Sequence, residues 1–445
     1  MKSERIFYPI EITRRELEGV FLVAAKLASI GHKVFLGPKY ELDYCLKRYK
    51  PNIYIGTRAD ETNYGLLKTL RKSGCKVVIV DTEGGIMLED QYKTRHYAPG
   101  LTQADLFFAW GEKGASIIRD MDVISPEQIK VSGAPWFDIN EVKPLYQDLV
   151  RKLKEEFPRS YILFNSRLSL PNHKSKIISD NYRAQAPEEF DYYAKQYYNL
   201  NDTIKRLAAD FPDETFVIRA HPSEDPSHYY DFFKGLSNVV INDSYSARAW
   251  ALASKVVLHN SCTTGLEAAM MGVPVIAYQE VKDDQYDKLL PNIASMNAFT
   301  YEQLVQKVSY YIQHPAEPYT LNRDQIAAIK EFFFNVDTSG SDIIVKHVSE
   351  LNSGEFMYKM DPEYKKTKFK MDIIYKYPFL INFLPSELKK NVRVGKKYFM
   401  GKFQSLELDQ LLALRQRLKE ANPNIGKFTI QKCPDLKQAY KFEAE

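Results

Sequence analysis

Short apolar runs alternate with helical patterns from the start of this chain, and this alternation limits the folds open to it more than any other feature. Arg5–Ile10 predicts a strand, and the apolar residues of 15–30 fall on one helical face until Gly31 ends the helix. Further apolar runs predict strands at 33–36, 52–55, 76–80, 106–110 and 128–131. Strands that alternate with helices indicate a parallel sheet with crossover connections, so we predict an α/β fold.

The pattern pauses at residues 133–138 and then repeats. Apolar runs predict a second set of strands at 161–164, 215–218, 239–241, 255–258 and 274–278. Helical patterns fall near 200–210, 247–253, 264–271 and 301–312. A chain of 445 residues is too long for one core and suits two domains. We therefore predict two Rossmann-like domains, at 1–145 and 146–353, and an extension at 354–445.

The composition is that of an ordinary folded protein, with 44% hydrophobic and 27% charged residues, which argues against intrinsic disorder. The four cysteines show no metal or redox spacing, which favours a reducing compartment. The first residues are charged rather than apolar, and no apolar run approaches the length that spans a bilayer. These features lead us to expect a cytoplasmic location.

The extension at 354–445 is basic and aromatic, and a helical pattern runs through 406–420. Residues 364–403 hold eleven Lys and Arg against Asp372 and Glu387, which leaves an excess of nine positive charges around an apolar stretch. One interpretation is a solvated helical appendage that packs on the first domain. The other is peripheral association with an anionic surface, the inner face of the cytoplasmic membrane. We expect no nucleic-acid partner, because no known nucleic-acid module is present.

The first candidate segment, residues 219–224, follows a predicted strand directly, at the edge where open α/β sheets bind ligands. His221 could donate a hydrogen bond to a phosphate oxygen, and Pro222 would fix the backbone that presents it. Glu224 could accept hydrogens from a ribose or a base. The alternative is a surface loop that binds no ligand.

The second candidate segment, residues 259–267, lies between a predicted strand and a helix rich in Ala and Met. Ser261, Thr263 and Thr264 offer hydroxyls and backbone amides at a helix N-terminus, which together can bind a phosphate. Glu267 belongs to the same nucleotide-binding set. The alternative is ordinary capping of the helix by Thr263 or Thr264.

The third candidate segment, residues 81–85, follows the predicted strand at 76–80. A carboxylate there, Asp81 or Glu83, could remove a proton from an acceptor hydroxyl or attack an anomeric carbon. Gly84 and Gly85 would let a substrate approach the backbone closely. The alternative is an Asp/Gly turn without a chemical role.

Together these segments resemble the motifs of bacterial sialyltransferases. Glu83-Gly84 is similar to their acidic-acidic-Gly motif, His221-Pro222 to their His-Pro motif, and residues 261–264 to their Ser/Thr motif. Bacterial Kdo transferases of capsule and lipopolysaccharide assembly share this layout, and residues 1–350 resemble their surface carbohydrate biosynthesis relatives. Residues 133–138 resemble a Gly-x-Pro-x-x-Asp segment common in GT-B-type transferases. Thr82 departs from the acidic pair, which leaves the catalytic carboxylate open between Asp81 and Glu83.

The resemblance implies a GT-B-type fold of two Rossmann-like domains with an interdomain cleft, plus a basic C-terminal extension. It implies a glycosyltransferase that moves a CMP-activated acidic sugar, such as Kdo or a sialic acid, onto a glycan or lipid-linked acceptor. His221 would then contact the CMP phosphate, with the Ser/Thr segment beside it. Glu83 or Asp81 would be the base of an inverting enzyme or the nucleophile of a retaining one.

The sugar carboxylate could be met by Arg167 or Arg219, although Arg219 could equally be a surface residue at the end of its strand. No metal cofactor is expected, because His221, the hydroxyls and the helix dipoles can offset the phosphate charge.

Three other functions stay open on the sequence. A CDP-glycerol-type polyol-phosphate transferase also carries a His-Pro and a Ser/Thr segment. An NDP-sugar 2-epimerase uses the same fold and has acidic and His residues at strand ends, but it needs no membrane-associated extension. A non-catalytic assembly protein could retain the fold, although intact Glu83, His221 and Ser261 argue against it.

Overall fold

The structure is a computed structural model that describes residues 2–84, 89–315, 317–333, 338–375, 378–383, 385, 389, 403 and 405–445. The chain forms two compact units. The first unit combines Met1–Leu145 with Lys330–Glu445, and the second unit is Tyr146–Ile329.

The strands, numbered along the chain, are β1 Arg5–Ile10, β2 Lys33–Pro38, β3 Ile53–Gly56, β4 Lys76–Val80, β5 Leu106–Ala109, β6 Ile129–Val131, β7 Ile162–Asn165, β8 Phe216–Arg219, β9 Val239–Ile241, β10 Val256–His259, β11 Val275–Tyr278, β12 Met296–Ala298, β13 Phe428–Lys432 and β14 Tyr440–Ala444. The helices are α1 Thr13–Ser29, α2 Lys39–Tyr44, α3 Leu46–Tyr49, α4 Glu61–Lys72, α5 Glu89–Arg95, α6 Ala98–Leu101, α7 Glu112–Asp120, α8 Ile139–Val142, α9 Gln147–Glu156, α10 Lys176–Gln185, α11 Pro187–Asp210, α12 Ser227–Phe232, α13 Ala247–Ala253, α14 Thr263–Met270, α15 Leu289–Ile293, α16 Tyr301–Gln313, α17 Arg323–Phe332, α18 Gly340–Ser349, α19 Pro362–Tyr375 and α20 Leu408–Ala421.

The first unit is built on a sheet that, within the described residues, has eight strands in the order β13-β14-β2-β1-β3-β4-β5-β6. Strands β1 to β6 pair in parallel, whereas β14 pairs antiparallel to β2 and β13 lies beyond it. The chain passes from β1 to β2 on one side of β1 and then to β3 on the other side of β1. This reversal beside β1 is a topological switch point, where the carboxyl ends of parallel strands bind ligands.

Helix α1 packs closely on this sheet because its apolar residues from Leu17 to Ala28 are all buried. Gly19 permits the close approach of the segment that follows β6. A Cβ atom at this position would lie 2.8 Å from the backbone nitrogen of Trp136. Any larger residue would therefore force the two backbones apart.

The C-terminal residues complete the first unit instead of forming an appendage to it. Strands β13 and β14 form a hairpin that adds to the edge of β2, with Tyr440 opposite Leu36. The ring of Phe442 packs against Phe21 of α1, with 5.6 Å between the ring centroids. The predicted helix at 406–420 corresponds to α20, but the sequence pattern did not lead us to predict the two strands.

The second unit ends earlier than the domain that we predicted at 146–353. Its last residue is Ile329, and α18 belongs to the first unit. The carboxylate of Asp138 accepts hydrogen bonds from the amides of Gly340 and Ser341, each at 2.7 Å, at the start of α18. The last residue of the 133–138 segment therefore ties α18 to the first unit.

The basic segment at 364–403 is described only in part, because 376–377, 384, 386–388 and 390–402 lie outside the described residues. Its first helix, α19, packs on α4 of the first unit through the buried Tyr364, whose hydroxyl donates to the carbonyl of Asp43 at 2.8 Å. Among the helices that the structure describes, none is both long and apolar enough to cross a membrane.

The second unit has, over its described residues, a parallel six-stranded sheet in the order β12-β11-β10-β7-β8-β9. The chain runs from β7 through β8 to β9 and then returns to β10 on the other side of β7. The switch point of this sheet therefore lies between the carboxyl ends of β7 and β10. One wholly parallel sheet and one mainly parallel sheet, both with helical crossovers, confirm the predicted α/β fold.

Candidate functional site

Asp81 follows β4, and its carboxylate is fully buried. It accepts hydrogen bonds from the Tyr92 hydroxyl at 3.0 Å, from Arg95 Nε at 3.3 Å and from the amide of Glu83 at 3.2 Å. Burial raises the pKa of Asp81, but the neighbouring His96 and Arg95 outweigh it and lower the pKa to about 2. The carboxylate is therefore ionised and enclosed, and it holds this segment in place without facing a substrate.

Glu83 is the accessible carboxylate of the pair, with 31% of its side chain exposed. Its Oε1 lies 2.6 Å from Arg15 Nη1 in the first turn of α1, and its Oε2 lies 3.6 Å from Arg95 Nη1. Burial raises the pKa of Glu83, yet the two guanidinium groups outweigh burial and lower the pKa to about 2. Glu83 therefore stays ionised at neutral pH, which suits a nucleophile and makes it a weak base while Arg15 remains paired to it.

Gly84 has a structural explanation as well as the predicted one. A Cβ atom at Gly84 would lie 2.0 Å from Asp81 Oδ2, so the buried carboxylate alone requires glycine there. Gly85, which we predicted to bind substrate, lies outside the described residues.

Sequence reasoning missed a second carboxylate at the same sheet edge, whose side chain is 19% exposed. Glu11 follows β1, and its Oε1 accepts a hydrogen bond from Thr57 Oγ1 at 3.3 Å while Oε2 lies 3.4 Å from Arg58 Nη2. Thr57 and Arg58 follow β3, so the three residues flank the switch point of the first sheet. Polar residues directly after the predicted strands at 5–10 and 52–55 were the signal that could have found them.

His221 is exposed just beyond β8, in a loop held by hydrogen bonds. Its ring Nδ1 accepts a hydrogen bond from the amide of Ser223 at 3.2 Å, so a neutral ring carries its hydrogen on Nε2. Lys174 Nζ donates to the carbonyl of Pro222 at 2.8 Å. In that neutral form Nε2 is the donor atom of the ring, and the phosphate contact stays a prediction.

Glu224, predicted to accept ribose or base hydrogens, is fully buried. Its carboxylate accepts hydrogen bonds from Ser166 Oγ at 2.7 Å, the Tyr229 hydroxyl at 2.9 Å and the amide of His221 at 3.0 Å. Burial raises the pKa of Glu224 to about 7 despite these donors. The oxygens of Glu224 are directed into the protein and not toward a ligand. Glu224 therefore holds the His221 loop in position.

The Ser/Thr segment divides into a buried part and an accessible part. Ser261 adopts a φ of 49° and is buried, and its amide and hydroxyl are both bonded to the Asn292 side chain at 2.9 Å. Thr263 and Thr264 are half-buried and begin α14. Cys262 occupies the N-cap position without a side-chain capping bond, so the structure does not support capping by either threonine. The accessible part of this segment is therefore the N-terminus of α14.

Arg167 and Glu267, which we predicted to contact the ligand, are bonded to other residues of the protein. Arg167 is mostly buried, and its Nε donates to the carbonyl of Asn260 at 2.9 Å while Nη2 lies 3.2 Å from Asp287. Glu267 accepts a hydrogen bond from Arg248 Nη2 at 3.0 Å.

Arg219 is buried as well, and its Nη2 donates to the carbonyl of Tyr245 at 2.9 Å. Neither of the predicted arginines, Arg167 or Arg219, is thus an exposed cation ready for a sugar carboxylate, because the loops after neighbouring strands supply their acceptors. Both instead tie strand-end loops of the second sheet together.

Within the described residues, no group of three or more His, Cys, Asp or Glu side chains is arranged to hold a metal ion. Asp120 and Asp122 form an Asp-x-Asp pair in the sequence. They lie at and just after the end of α7, which leads from β5 to the start of β6. This pair therefore sits at the sheet edge opposite to Glu83.

Comparison with known proteins gives a fold and no family. No family model matches the chain. No curated protein matches it either. Among solved structures, the UDP-GlcNAc 2-epimerase from Neisseria meningitidis, bound to UDP-GlcNAc, is similar with a TM-score of 0.51 and 15% sequence identity, over 79% of this chain and 100% of that chain.

Two further solved structures are similar at lower scores. The UDP-N-acetylglucosamine 2-epimerase from Rickettsia bellii has a TM-score of 0.49 and 14% identity, over 78% of this chain and 96% of that chain. The wall teichoic acid polymerase TagF has a TM-score of 0.48 and 11% identity, over 78% of this chain and 88% of that chain. The chain therefore has a two-unit GT-B-type fold, as the sequence motifs led us to expect.

Proposed function

We propose that this chain is a glycosyltransferase that uses a nucleotide-activated donor, a CMP-linked acidic sugar of the Kdo or sialic acid type. The acceptor would be a surface glycan or a lipid-linked glycan. The observation that carries the proposal is the start of α14, which has no side-chain cap and follows β10 at the switch point of the second sheet. His221, exposed beyond β8 on the far side of β7 from β10, would supply a second donor at the same edge.

The second unit would bind the phosphate of the nucleotide. A helix N-terminus offers free backbone N–H groups and the positive end of the helix dipole, which favour an anion. The Nε2–H of His221 would add a donor that strengthens as the leaving phosphate gains charge. The hydroxyls of Thr263 and Thr264 would add further donors, so the proposal requires no metal ion.

The first unit would supply the carboxylate of the reaction through Glu83, because Asp81 is enclosed by its own donors. As a nucleophile, Glu83 would act in the ionised form that Arg15 stabilises. As a base, it would need a higher pKa, which departure of Arg15 from the ion pair would produce. The stereochemical outcome therefore stays open between retention and inversion.

Two rival functions would also bind a nucleotide phosphate in the second unit. The fold likeness to a UDP-GlcNAc 2-epimerase favours that activity as the first rival. The second is a polyol-phosphate transferase that uses CDP-glycerol, which the His-Pro and Ser/Thr segments also suit. All three would bind a nucleotide, but the epimerase would bind a uridine nucleotide, whereas the two transferases would bind cytidine nucleotides.

A thermal-shift panel of CMP, CDP, UDP and GDP tests the proposal, because a ligand that binds only the folded protein raises its stability by mass action. We expect the largest rise in Tm with CMP or CDP, equivalent to about 2.7 kcal/mol at a concentration of 100 Kd. A larger rise with UDP would reject the CMP assignment and favour the epimerase. No rise with any nucleotide would favour a non-catalytic assembly protein.

We also propose that the first unit docks on an anionic membrane surface through α19 and the following turn Pro378–Phe383. Three phenylalanines are exposed there, by 66% at Phe369, 57% at Phe379 and 81% at Phe383, whereas the intervening Ile381 is buried. Exposed large apolar side chains among basic residues suit insertion between anionic headgroups. The excess of nine positive charges over 364–403 would supply the electrostatic attraction.

A further inference from the structure

Asn165 is the last residue of β7, and its side chain is buried without a hydrogen-bond partner. Only 3% of the residue is exposed, and neither its amide nitrogen nor its amide oxygen is bonded to another protein atom. Buried polar side chains nearly always have a partner, because an unpaired one carries its full desolvation cost. An amide with both ends unpaired at a strand end therefore calls for an explanation.

The register of the sheet locates this amide at the switch point. Asn165 lies opposite Arg219 of β8, and Phe164 lies opposite Leu258 of β10, so His259 is its next neighbour on that side. Phe164 belongs to the apolar core on one face of the sheet. Because side chains alternate between faces, Asn165 lies on the other face.

His259 identifies what covers that face. A Cβ atom at Gly265 of α14 would lie 2.2 Å from His259 Nε2, so the face that Asn165 shares with His259 lies under the first turn of α14. The Asn165 amide is thus on the side of the helix N-terminus to which we assign the nucleotide phosphate.

The neighbouring polar side chains are directed to other partners. His259 accepts a hydrogen bond from the amide of Cys262 at 3.3 Å, and its Nε2 lies 2.9 Å from Ser295 Oγ. Burial lowers the pKa of His259 to about 3, so the ring is neutral and Nε2–H donates to Ser295. Arg219 directs its Nη2 to the carbonyl of Tyr245. Neither of these two side chains is hydrogen-bonded to the Asn165 amide.

We infer that Asn165 is a ligand-contacting residue of the second unit, whose amide N–H donates to a phosphoryl oxygen of a nucleoside 5′-phosphate. The inference rests on the proposed function, because it takes the ligand from that proposal. An anion suits the position beside Asn165 better than a cation, because the first-turn amides of α14 and the exposed His221 are hydrogen-bond donors. Asn165 would then gain its missing partner only when the nucleotide binds.

This assignment has a physical signature that a structural asparagine would not show. Replacement by leucine, Asn165→Leu, keeps the volume and removes the unpaired polar atoms, so the free protein should keep or gain stability. Nucleotide affinity should fall on the order of tenfold or more, because a hydrogen bond to a charged group is lost. A structural asparagine predicts the reverse, a lower Tm with unchanged affinity.

The experiment measures Tm and the affinities for CMP and cytidine, by calorimetry, for the wild type, Asn165→Leu and the control Asn201→Leu. Asn201 is a second buried asparagine of this unit, in the half of α11 that leads to the start of β8. We expect Asn165→Leu to lose affinity for CMP and to keep its affinity for cytidine, which has no phosphate. The control should bind both as the wild type does.

The outcomes separate the inference from the function on which it rests. If the wild type binds CMP and Asn165→Leu binds it equally well, the inference is wrong and the proposed nucleotide site stands. If UDP is the preferred nucleotide, UDP and uridine replace the cytidine pair in the same comparison. If no nucleotide binds the wild type, both are wrong. If Asn165→Leu does not fold, Asn165→Ala, which removes the amide without adding methyl groups, makes the same comparison.

Discussion

The backbone amide of His221 donates a hydrogen bond to Glu224 Oε2 at 3.0 Å. The same buried carboxylate also accepts from Ser166, which follows β7, and from Tyr229 of α12. One acidic group thus joins three elements beneath the loop that presents His221. The imidazole is therefore held in place by a residue that cannot itself reach a ligand.

The change His221→Ala should reduce turnover on the order of 10²-fold or more, because it removes a preorganised donor whose bond strengthens in the transition state. The Tm should change little, since the side chain is exposed. Steady-state kinetics and thermal unfolding of the variant check both parts. His228→Ala, at a second exposed histidine in α12, is the matched control and should keep normal turnover. Near-normal turnover of His221→Ala would remove His221 from the mechanism.

The variant Glu224→Gln should reveal a pH-dependent stability in the wild type. Burial raises the pKa of Glu224 from 4.5 to about 7, so between these values the folded protein keeps a proton that the unfolded chain has lost. The stability of the wild type relative to the variant should therefore fall as pH rises through this window, by about 3 kcal/mol in total.

Equilibrium unfolding in urea at several pH values measures that difference for Glu224. A difference that is constant between pH 4.5 and 7 would mean that the carboxyl ionises in the folded protein as it does in the unfolded chain. The hydrogen bonds from Ser166 and Tyr229 would then outweigh the effect of burial.

The two carboxylates after β4 should respond differently to amide substitution. Glu83→Gln should abolish most turnover and leave nucleotide affinity nearly unchanged, while the loss of its ion pairs with Arg15 and Arg95 lowers Tm. Asp81→Asn should lower the free energy of unfolding by about 3 kcal/mol, since it removes the buried charge that pairs with Arg95 and accepts from Tyr92. Kinetics and unfolding of both variants check this. An active Glu83→Gln would contradict the assignment.

Vesicle binding should depend on the exposed phenylalanines of the turn at 378–383. The double change Phe379→Ser and Phe383→Ser should reduce sedimentation with anionic vesicles, because it removes the side chains that would insert. Reversing two exposed charges, Lys365→Glu and Lys366→Glu, should weaken binding at least tenfold, since each basic residue near the surface contributes about 1 kcal/mol.

Point changes suit this test better than removal of 355–445, because that deletion would also remove β13 and β14 from the first sheet. Tyr198→Ser and Tyr230→Ser, at exposed aromatics of the second unit, are matched controls that should bind normally. Binding of the wild type should fall as salt rises, because screening weakens exposed charges. A wild type that ignores anionic vesicles at low salt would refute the membrane proposal.

The C-terminal hairpin illustrates what local sequence patterns leave out. Strands β13 and β14 are short and contain several charged residues, so their pattern did not predict a sheet. They form because the edge of β2 and the ring of Phe21 offer them a partner more than 400 residues earlier in the chain. Pairing across such a separation has no signal in a local window.

The sequence by itself determined the α/β alternation and the position of the polar segments at strand ends, because periodicity and strand termini are properties of neighbouring residues. Only the tertiary structure decided which polar groups are accessible. Asp81 and Glu83 are two residues apart, yet Tyr92 and Arg95 enclose the first and leave the second partly exposed. Glu224 is buried in the same way, because Ser166 and Tyr229 come from other elements that fold over it.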